Sequence, residues 1–370
     1  MDWNPGAGRP CTLIVACVLI TAVRDCDVVI AGAGPAGIAA AITCLQGGLQ
    51  PYVVTRPPRP VGAQHSPMQS LHPKARPLLG QLGAASVLDA CTEALFDRIC
   101  SGSATHTFSA YGPLSVFGYH VNREKFDQGL LNIAMQAGIP VHFDAVSEAI
   151  VDDGHVVGVR TSSGVELPAR VVIDATGYAR VLARRLGHGS KPCSPALVVH
   201  TGLIDAGAPF PMRGATRFEG RTDGWSWFAT ASSGALTWTS LHVRCARHDA
   251  TTEELARRSV PGSVRTFDAS WKLTRPLAAR GMLVAGEAAG RLDPAWGQGI
   301  VNALESGIAV ARTVLDSAAS PGLAAWLCAD YDAWFVARHE EACDELSGYY
   351  SRQGIAILAD GVSLSPLGAS

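Results

Sequence analysis

Lysine is scarce in this chain: Lys74, Lys125, Lys191 and Lys272 are the only four among thirty Lys and Arg residues. The formal net charge is -2, and no run of like charges occurs. A nucleic-acid partner is therefore not expected, because backbone phosphates are gripped by clustered cations. The ten cysteines are scattered, with no C-x-x-C spacing. This excludes the common zinc and redox-dithiol signatures and fits buried thiols in a reducing, cytoplasmic setting. No metal site is expected. The longest apolar run, Cys11 to Val23, has thirteen residues, too few to span a bilayer. Because the next strand begins at Asp27, residues 1–25 read as an N-terminal extension, or as the product of a start codon placed too early, rather than as an export signal.

At 370 residues, the chain is long enough for two or three domains. No internal repeat appears. Cys26 to Ala31 is a short apolar, β-branched run of the kind buried in parallel sheets. It leads into Gly32-x-Gly34-x-x-Gly37 and an Ala-rich helix, and Tyr52 to Thr55 is the next strand. Helices are expected at His72–Leu82, Lys125–Ala137, Ala303–Leu315 and Trp326–Tyr350, and strands at Val141–Val146, Val156–Arg160, Arg170–Ile173 and Met282–Ala285. Between about Pro195 and Trp271 the texture changes to runs rich in Val, Thr and Trp, separated by Gly and Ser turns. The fold class is α/β: a Rossmann-like dinucleotide-binding domain with an inserted mixed or antiparallel β-sheet substrate domain and a C-terminal helix. The expected boundaries are 26–190 for the dinucleotide-binding domain (with part of the substrate region near 60–120), 191–275 for the inserted sheet, 276–320 for the return, and 321–370 for the C-terminal helical segment.

Two motifs carry the chemistry. In the glycine turn, Gly32 permits the bend, Gly34 lets backbone approach a pyrophosphate, and Gly37 with Ala41 allows close packing of helix on strand. About 250 residues later stands GEAAGRLDPAWGQGI, Gly286 to Ile300. A small-residue turn with an acid (Glu287) precedes Pro294 and then Gly297-Gln298-Gly299 at a helix start. That order suits a long cofactor held at both ends, which favours FAD over NAD. One expected part is missing: the acid that would bind ribose at the end of the second strand is replaced by Thr55, followed by Arg56.

The glycine turn, the Arg123-x-x-Phe126-Asp127 helix start, the Asp174-Ala175-Thr176-Gly177 turn and the Gly286–Gly299 segment follow one another in the order of a known family. That order resembles the FAD-dependent monooxygenases of the para-hydroxybenzoate hydroxylase fold, over roughly residues 26 to 320. The resemblance implies that Gly32, Gly34, Pro35, Ala36 and Gly37 hold the pyrophosphate, with Thr55 and Arg56 toward the adenosine. It places Arg123 and Val146 against the cofactor, and Asp174, Ala175, Thr176 and Gly177 at the turn beside it. Gly286 and Glu287 would meet the ribityl chain. Pro294, Gly297, Gln298, Gly299 and Ile300 would face the flavin, where helix-start amides stabilise negative charge near N1.

Gln69-Ser70-Leu71-His72-Pro73 and Ala183-Arg184-Arg185-Leu186-Gly187 resemble the tryptophan-halogenase-like branch of that fold. The branch also contains flavoproteins that oxidise a tryptophan in a partner protein while a quinone cofactor is built. Two departures argue against halogenation. Trp225-Ser226-Trp227-Phe228-Ala229-Thr230 lacks the Ile-Pro of the halogenase Trp-x-Trp-x-Ile-Pro signature. The lysine that handles hypohalous acid in that family is absent, since no lysine lies between Leu78 and Glu124. The resemblance therefore implies an NAD(P)H- and O2-dependent monooxygenase with FAD and a transiently bound nicotinamide. Its substrate would be an electron-rich aromatic group, small-molecule or protein-bound, with a partner protein possible. The alternatives are a halogenase, an isoprenoid (geranylgeranyl-type) reductase, and a maturation or chaperone partner that has lost FAD. No residue stands out as catalytic acid or base; His72, Trp227 and Trp296 are the substrate-facing candidates.

Both departures from the cofactor pattern, Thr55 and Glu287 (where the family has Asp), fall on the sugar-like parts of FAD. FAD is expected to bind but to dissociate readily, and Glu287→Asp or Thr55→Glu is expected to tighten it. Flavin retention on gel filtration checks this, and unchanged retention in both variants would show that the two residues are misplaced.

Overall fold

The computed structural model describes residues 26–58, 67–101, 104–107, 117–205, 215–244 and 250–358. The extension expected at residues 1–25 lies outside the described residues. The strand Cys26–Ala31 sits in the middle of a parallel sheet, between Pro51–Thr55 and Glu166–Asp174. Val141–Phe143 and Met282–Val284 extend the sheet on either side, also parallel. Being covered on both faces explains why Val28, Val29, Ile30 and Ala31 are all fully buried, with no polar alternation. The helix Pro35–Gln46 begins at Gly34 with proline in its first turn, where a missing N–H costs nothing.

One expected strand is divided. Val141–Phe143 stays in the parallel sheet, and a separate strand, Val146–Asp152, starts an antiparallel hairpin with His155–Thr161. The break lies at Asp144, whose carboxylate accepts from the Ala145 amide at 2.7 Å and the Ser163 amide at 3.0 Å, bending the chain. The expected strand Arg170–Ile173 is longer, Glu166–Asp174: its first half pairs with the hairpin and its second with the central strand. The expected helix 303–315 runs from Gly299 to Ala319.

A second sheet of seven strands contains Leu197–Ile204, Ala215–Arg221, Gly224–Thr230 and Leu236–Val243, joined in antiparallel fashion. Arg98–Ser101 joins its far side in parallel, so a segment of the chain's first third completes this sheet. Small sheets link the two large ones. Gln69–Leu71, Gly118–Val121 and Thr92–Phe96 form one. Gly189–Pro192, Lys272–Arg275 and Gly290–Arg291 form the other. The C-terminal helix, Ala324–Arg352, packs across the seven-stranded sheet, with the Tyr349 ring edge-on to Phe218 at 5.3 Å.

The helices Pro35–Gln46 and Gly299–Ala319 meet at glycine distance. A Cβ on Gly307 would lie 2.2 Å from the Ala36 carbonyl oxygen. Helix propensity favours alanine over glycine by about 1 kcal/mol, but overpacking costs about 1–3 kcal/mol, and here the obstacle is backbone. Gly307→Ala is therefore expected to lower the urea midpoint. Gly80, in the helix Ala75–Gln81, has nothing within 4 Å of such a Cβ, so Gly80→Ala is expected to raise it. Equal shifts of the same sign would contradict the packing argument.

Candidate functional site

The fold brings the two glycine motifs together. Gly32 has φ +107, and a Cβ there would lie 2.3 Å from the Ala175 carbonyl oxygen. A Cβ on Gly37 would lie 1.9 Å from the Gly32 carbonyl oxygen. These two glycines are needed for the turn itself. Gly34 differs: a Cβ there meets nothing within 4 Å, so this side of the turn is open to a ligand. No acidic side chain occupies the first turn of the helix behind it, so the amides of Ala36 and Gly37 keep their attraction for an anion.

Asp174 ends the strand beside this turn and is completely buried. Its carboxylate accepts from the Thr176 amide at 3.0 Å, the Thr176 hydroxyl at 2.6 Å and the Ala183 amide at 2.8 Å. Its side chain is thus committed to shaping the Asp174–Gly177 turn. Gly177 has φ +63 and faces Glu287, whose Oε2 would lie 3.7 Å from a Cβ at that position. Glu287 is half exposed and stands 3.9 Å from the Arg291 guanidinium. Its neighbour Gly286, φ +65, donates its amide to the Ser306 hydroxyl at 3.0 Å, and a Cβ there would lie 2.6 Å from the Ala36 side chain. Glu287 is therefore seated directly beside the first glycine turn.

Pro294–Trp296 forms a single tight turn, followed by Gly297 at φ +67 and the start of the long helix at Gly299. Neither Gly297 nor Gly299 has an atom within 4 Å of an added Cβ, and the first helical turn carries no acid. The Trp296 indole N–H is buried and without a partner in the protein. Open glycines, free helix-start amides and this orphaned donor suit the polar edge of a bound flavin.

The remaining expected residues are placed as follows. Thr55 ends the second strand, with Arg56 exposed after it. Val146 is half-buried against the main core. Arg123 pairs with Asp127 at 2.8 Å and donates to the Gln69 side chain at 3.0 Å. The His72 ring nitrogen accepts the Lys74 amide at 3.2 Å, closing the turn before the next helix. Burial, then Lys74, pushes the His72 imidazole down to about 4. Trp225 is fully buried beneath the C-terminal helix, so it fills the core, whereas Trp227 on the same strand face is half-buried.

Two features were not anticipated from the sequence. The first is a buried hydrogen-bonded cluster at the foot of the Pro294 turn. Asp293 is 2% exposed; its Oδ1 accepts the Ala295 amide at 2.9 Å, and its Oδ2 accepts the Trp271 indole at 2.6 Å and the Tyr350 hydroxyl at 2.7 Å. Burial pushes the Asp293 carboxyl up to about 6, against the lowering effect of these three donors. The only sequence signal was an acid before proline, the usual mark of a turn. The second feature is His120, 1% exposed, which bonds the Ser70 hydroxyl at 3.1 Å and stacks on Phe96 at 4.4 Å. Its Nε2 is buried without a partner.

The sequence pattern of the tryptophan halogenase family matches residues 89–352. The chain belongs to that family, and it is an FAD-dependent oxidoreductase. It is 26% identical over 324 residues to the 1H-pyrrole-2-carbonyl-[peptidyl-carrier protein] brominase of Pseudoalteromonas luteoviolacea, covering 79% of this chain and 77% of that one. It is 24% identical over 355 residues to the digeranylgeranylglycerophospholipid reductase of Methanosphaerula palustris, covering 88% and 86%. Among solved structures, the peptidyl tryptophan dihydroxylase QhpG, essential for tryptophylquinone cofactor biogenesis, shares the fold with a TM-score of 0.71 and 21% identity, over 94% of this chain and 80% of that one. Among the described residues, no helix is long and apolar enough to cross a membrane.

Burial lowers the His120 imidazole to about 4 from an ordinary value of 6.5. The folded state then refuses a proton that the unfolded chain accepts below pH 6.5, so this contribution to stability is present above pH 6.5 and is lost as pH falls toward 4. On the order of 3 kcal/mol is at stake. Urea unfolding across this range is expected to show a flatter pH dependence for His120→Gln than for the parent. Parallel curves would count against a neutral buried His120.

Proposed function

We propose that this protein is an NAD(P)H- and O2-dependent FAD monooxygenase that oxidises an electron-rich aromatic group, either free or carried on a partner protein. The observation that carries the reading over halogenation is the position of the lysines. Lys74 and Lys191 are exposed. Lys125 pairs with Glu93 at 3.1 Å, and Lys272 pairs with Asp268 at 2.7 Å. None is an interior ammonium free to relay hypohalous acid, which is what the halogenase resemblance requires. The tryptophan-oxidising QhpG among the structural relatives, and the carrier-protein substrate named for the brominase, make a protein-bound substrate the favoured form.

In this reading the Ala36 and Gly37 amides hold the pyrophosphate beside the open face of Gly34. Thr55 and Arg56 face the adenosine, and Glu287 faces the ribityl chain. Arg123 borders the cofactor's middle. The amides of Gly297 to Ile300 and the Trp296 indole meet the flavin's polar edge. FAD, when bound, supplies the redox chemistry, with a transient nicotinamide as electron source. The chain's own work is to orient that group and exclude water. Trp227 and Trp296 are the proposed aromatic walls. The setting is cytoplasmic, in keeping with the free thiols of all seven described cysteines.

Purified protein is expected to be yellow, or to gain flavin absorbance with added FAD, and to oxidise NAD(P)H only in the presence of O2. Flavin-bound protein that consumes NAD(P)H equally without O2 would point to a reductase, and a protein that never binds FAD would overturn the enzyme reading. Gly34→Ala separates the glycine roles further. It is expected to weaken FAD binding about tenfold or more, the equivalent of one lost charge-assisted contact, with the urea midpoint nearly unchanged.

A further inference from the structure

The Asp293 cluster reaches beyond its own turn. Trp225 lies on the strand Gly224–Thr230 of the seven-stranded sheet, and its indole N–H donates to the Tyr350 hydroxyl at 2.7 Å. Tyr350 is near the end of the C-terminal helix. Trp271 immediately precedes the strand Lys272–Arg275 of a linking sheet. Trp225, Trp271 and Tyr350 are each 1% exposed. Four separate parts of the chain therefore converge on one carboxylate or its neighbour.

The direction of these bonds is fixed by chemistry. An indole nitrogen can only donate. Since Trp225 donates to the Tyr350 oxygen, the Tyr350 hydrogen is turned to Asp293. Trp271 donates to the same Asp293 oxygen, and the Ala295 amide donates to the other. All three groups facing the carboxylate are donors, so only a pure acceptor satisfies them, and hydrogen bonds to such a charged acceptor are the strong ones. An asparagine must turn its NH2 toward at least one donor. The bond to Ala295 is also the N-terminal cap of the Pro294–Trp296 turn, so the cluster and the turn share one side chain.

We propose that Asp293 is the positioning residue of the Pro294–Gly299 turn, held by Tyr350 and Trp271 so that the C-terminal helix and the seven-stranded sheet set where that turn sits. The proposal rests on reading this turn as the flavin-facing one. It gives the C-terminal helix a role in cofactor geometry, although no residue of that helix belongs to the expected cofactor-binding set.

The test compares Tyr350→Phe, Asp293→Asn, their double variant and Trp238→Phe. Trp238 is an equally buried tryptophan whose indole donates to the Ser259 hydroxyl at 2.8 Å, in a separate small core cluster, and it serves as the control for mere loss of stability. Tyr350→Phe keeps the ring packing and removes only the hydroxyl, so it stays measurable even if Asp293→Asn folds poorly. In the FAD-free protein, Tyr350→Phe and Asp293→Asn are expected to speed amide hydrogen exchange at residues 295–299, while Trp238→Phe leaves it unchanged. In the FAD-loaded protein, each is expected to shift the visible circular-dichroism band of the flavin and to raise the FAD Kd, about tenfold or more for Asp293→Asn. In exchange at 295–299 and in the flavin band, the double variant should be no worse than Asp293→Asn alone, because Tyr350 reaches the turn only through Asp293. Variants that lose stability like Trp238→Phe, yet keep parental exchange at 295–299 and the parental flavin band, would overturn the proposal. If the parent binds no FAD, the flavin reading fails by itself, and the exchange experiment still decides whether Asp293 and Tyr350 hold the turn.

Discussion

Everything in the site depends on how closely two helices approach at Ala36. The helix behind the first glycine turn and the helix behind the second meet there, with Gly307 and Gly286 both facing that residue. A Cβ at Gly307 would stand 2.2 Å from its carbonyl oxygen, and one at Gly286 would stand 2.6 Å from its side chain. Side chains of ordinary size would push the helices to the usual 8–10 Å interaxial distance or beyond. Glu287 would then move away from Gly177, and the two halves of the cradle would separate. The short contact costs the helix some propensity at Gly307, on the order of 1 kcal/mol. It is repaid by bringing residues more than 250 positions apart in sequence to one surface.

The glycines at the site divide into two kinds by what surrounds them. Gly32 and Gly37 are enclosed by backbone, so their lack of a side chain serves the fold. Gly34, Gly297 and Gly299 face open space, so their lack of a side chain serves whatever lies against them. A sequence motif does not separate these roles, since each is the same letter at a fixed spacing. The distances to neighbouring atoms do. The open ones fall at the two ends of the cradle, next to helix-start amides with no acid in their first turn.

Much of this arrangement was legible in the sequence because it is local. The glycine turn lies within one strand-turn-helix unit, and the helices at Arg123–Gln136 and Ala324–Arg352 announce themselves by periodicity. The short strands of the linking sheets, such as Gly189–Pro192 and Gly290–Arg291, had no such signal. Two to four residues show no periodicity, and their pairing is decided by distant partners. The division of Val141–Val146 at Asp144 escaped for the same reason: the Ser163 amide that helps hold the bend comes from the far side of a hairpin. Asp293 is the sharpest case. Its partners are Trp271, Tyr350 and, one step on, Trp225, and nothing near Asp293 in sequence foretells that it is buried.

Burial turns Asp293 from a turn residue into a constraint on the whole site. A carboxylate taken out of water costs several kcal/mol unless its lone pairs are met, and its raised proton affinity, to about 6, records part of that cost. An apolar residue would avoid the penalty but would leave the Trp271 indole N–H, the Tyr350 hydroxyl and the Ala295 amide without their acceptor, at about 1–3 kcal/mol each. The cluster therefore tolerates few substitutions, and each of its members is fixed by the others. Generic packing of the C-terminal helix could be met by many apolar combinations. A directed chain from Trp225 through Tyr350 to Asp293 narrows the seating of that helix, and it ends on the backbone of the turn that carries Pro294. The seven-stranded sheet, which bears Trp227, and the turn, which bears Trp296, are thereby held in register by hydrogen bonds rather than by hydrophobic contact alone. Under the proposed function, that kind of positioning suits a reaction whose outcome depends on where the substrate ring stands relative to the flavin.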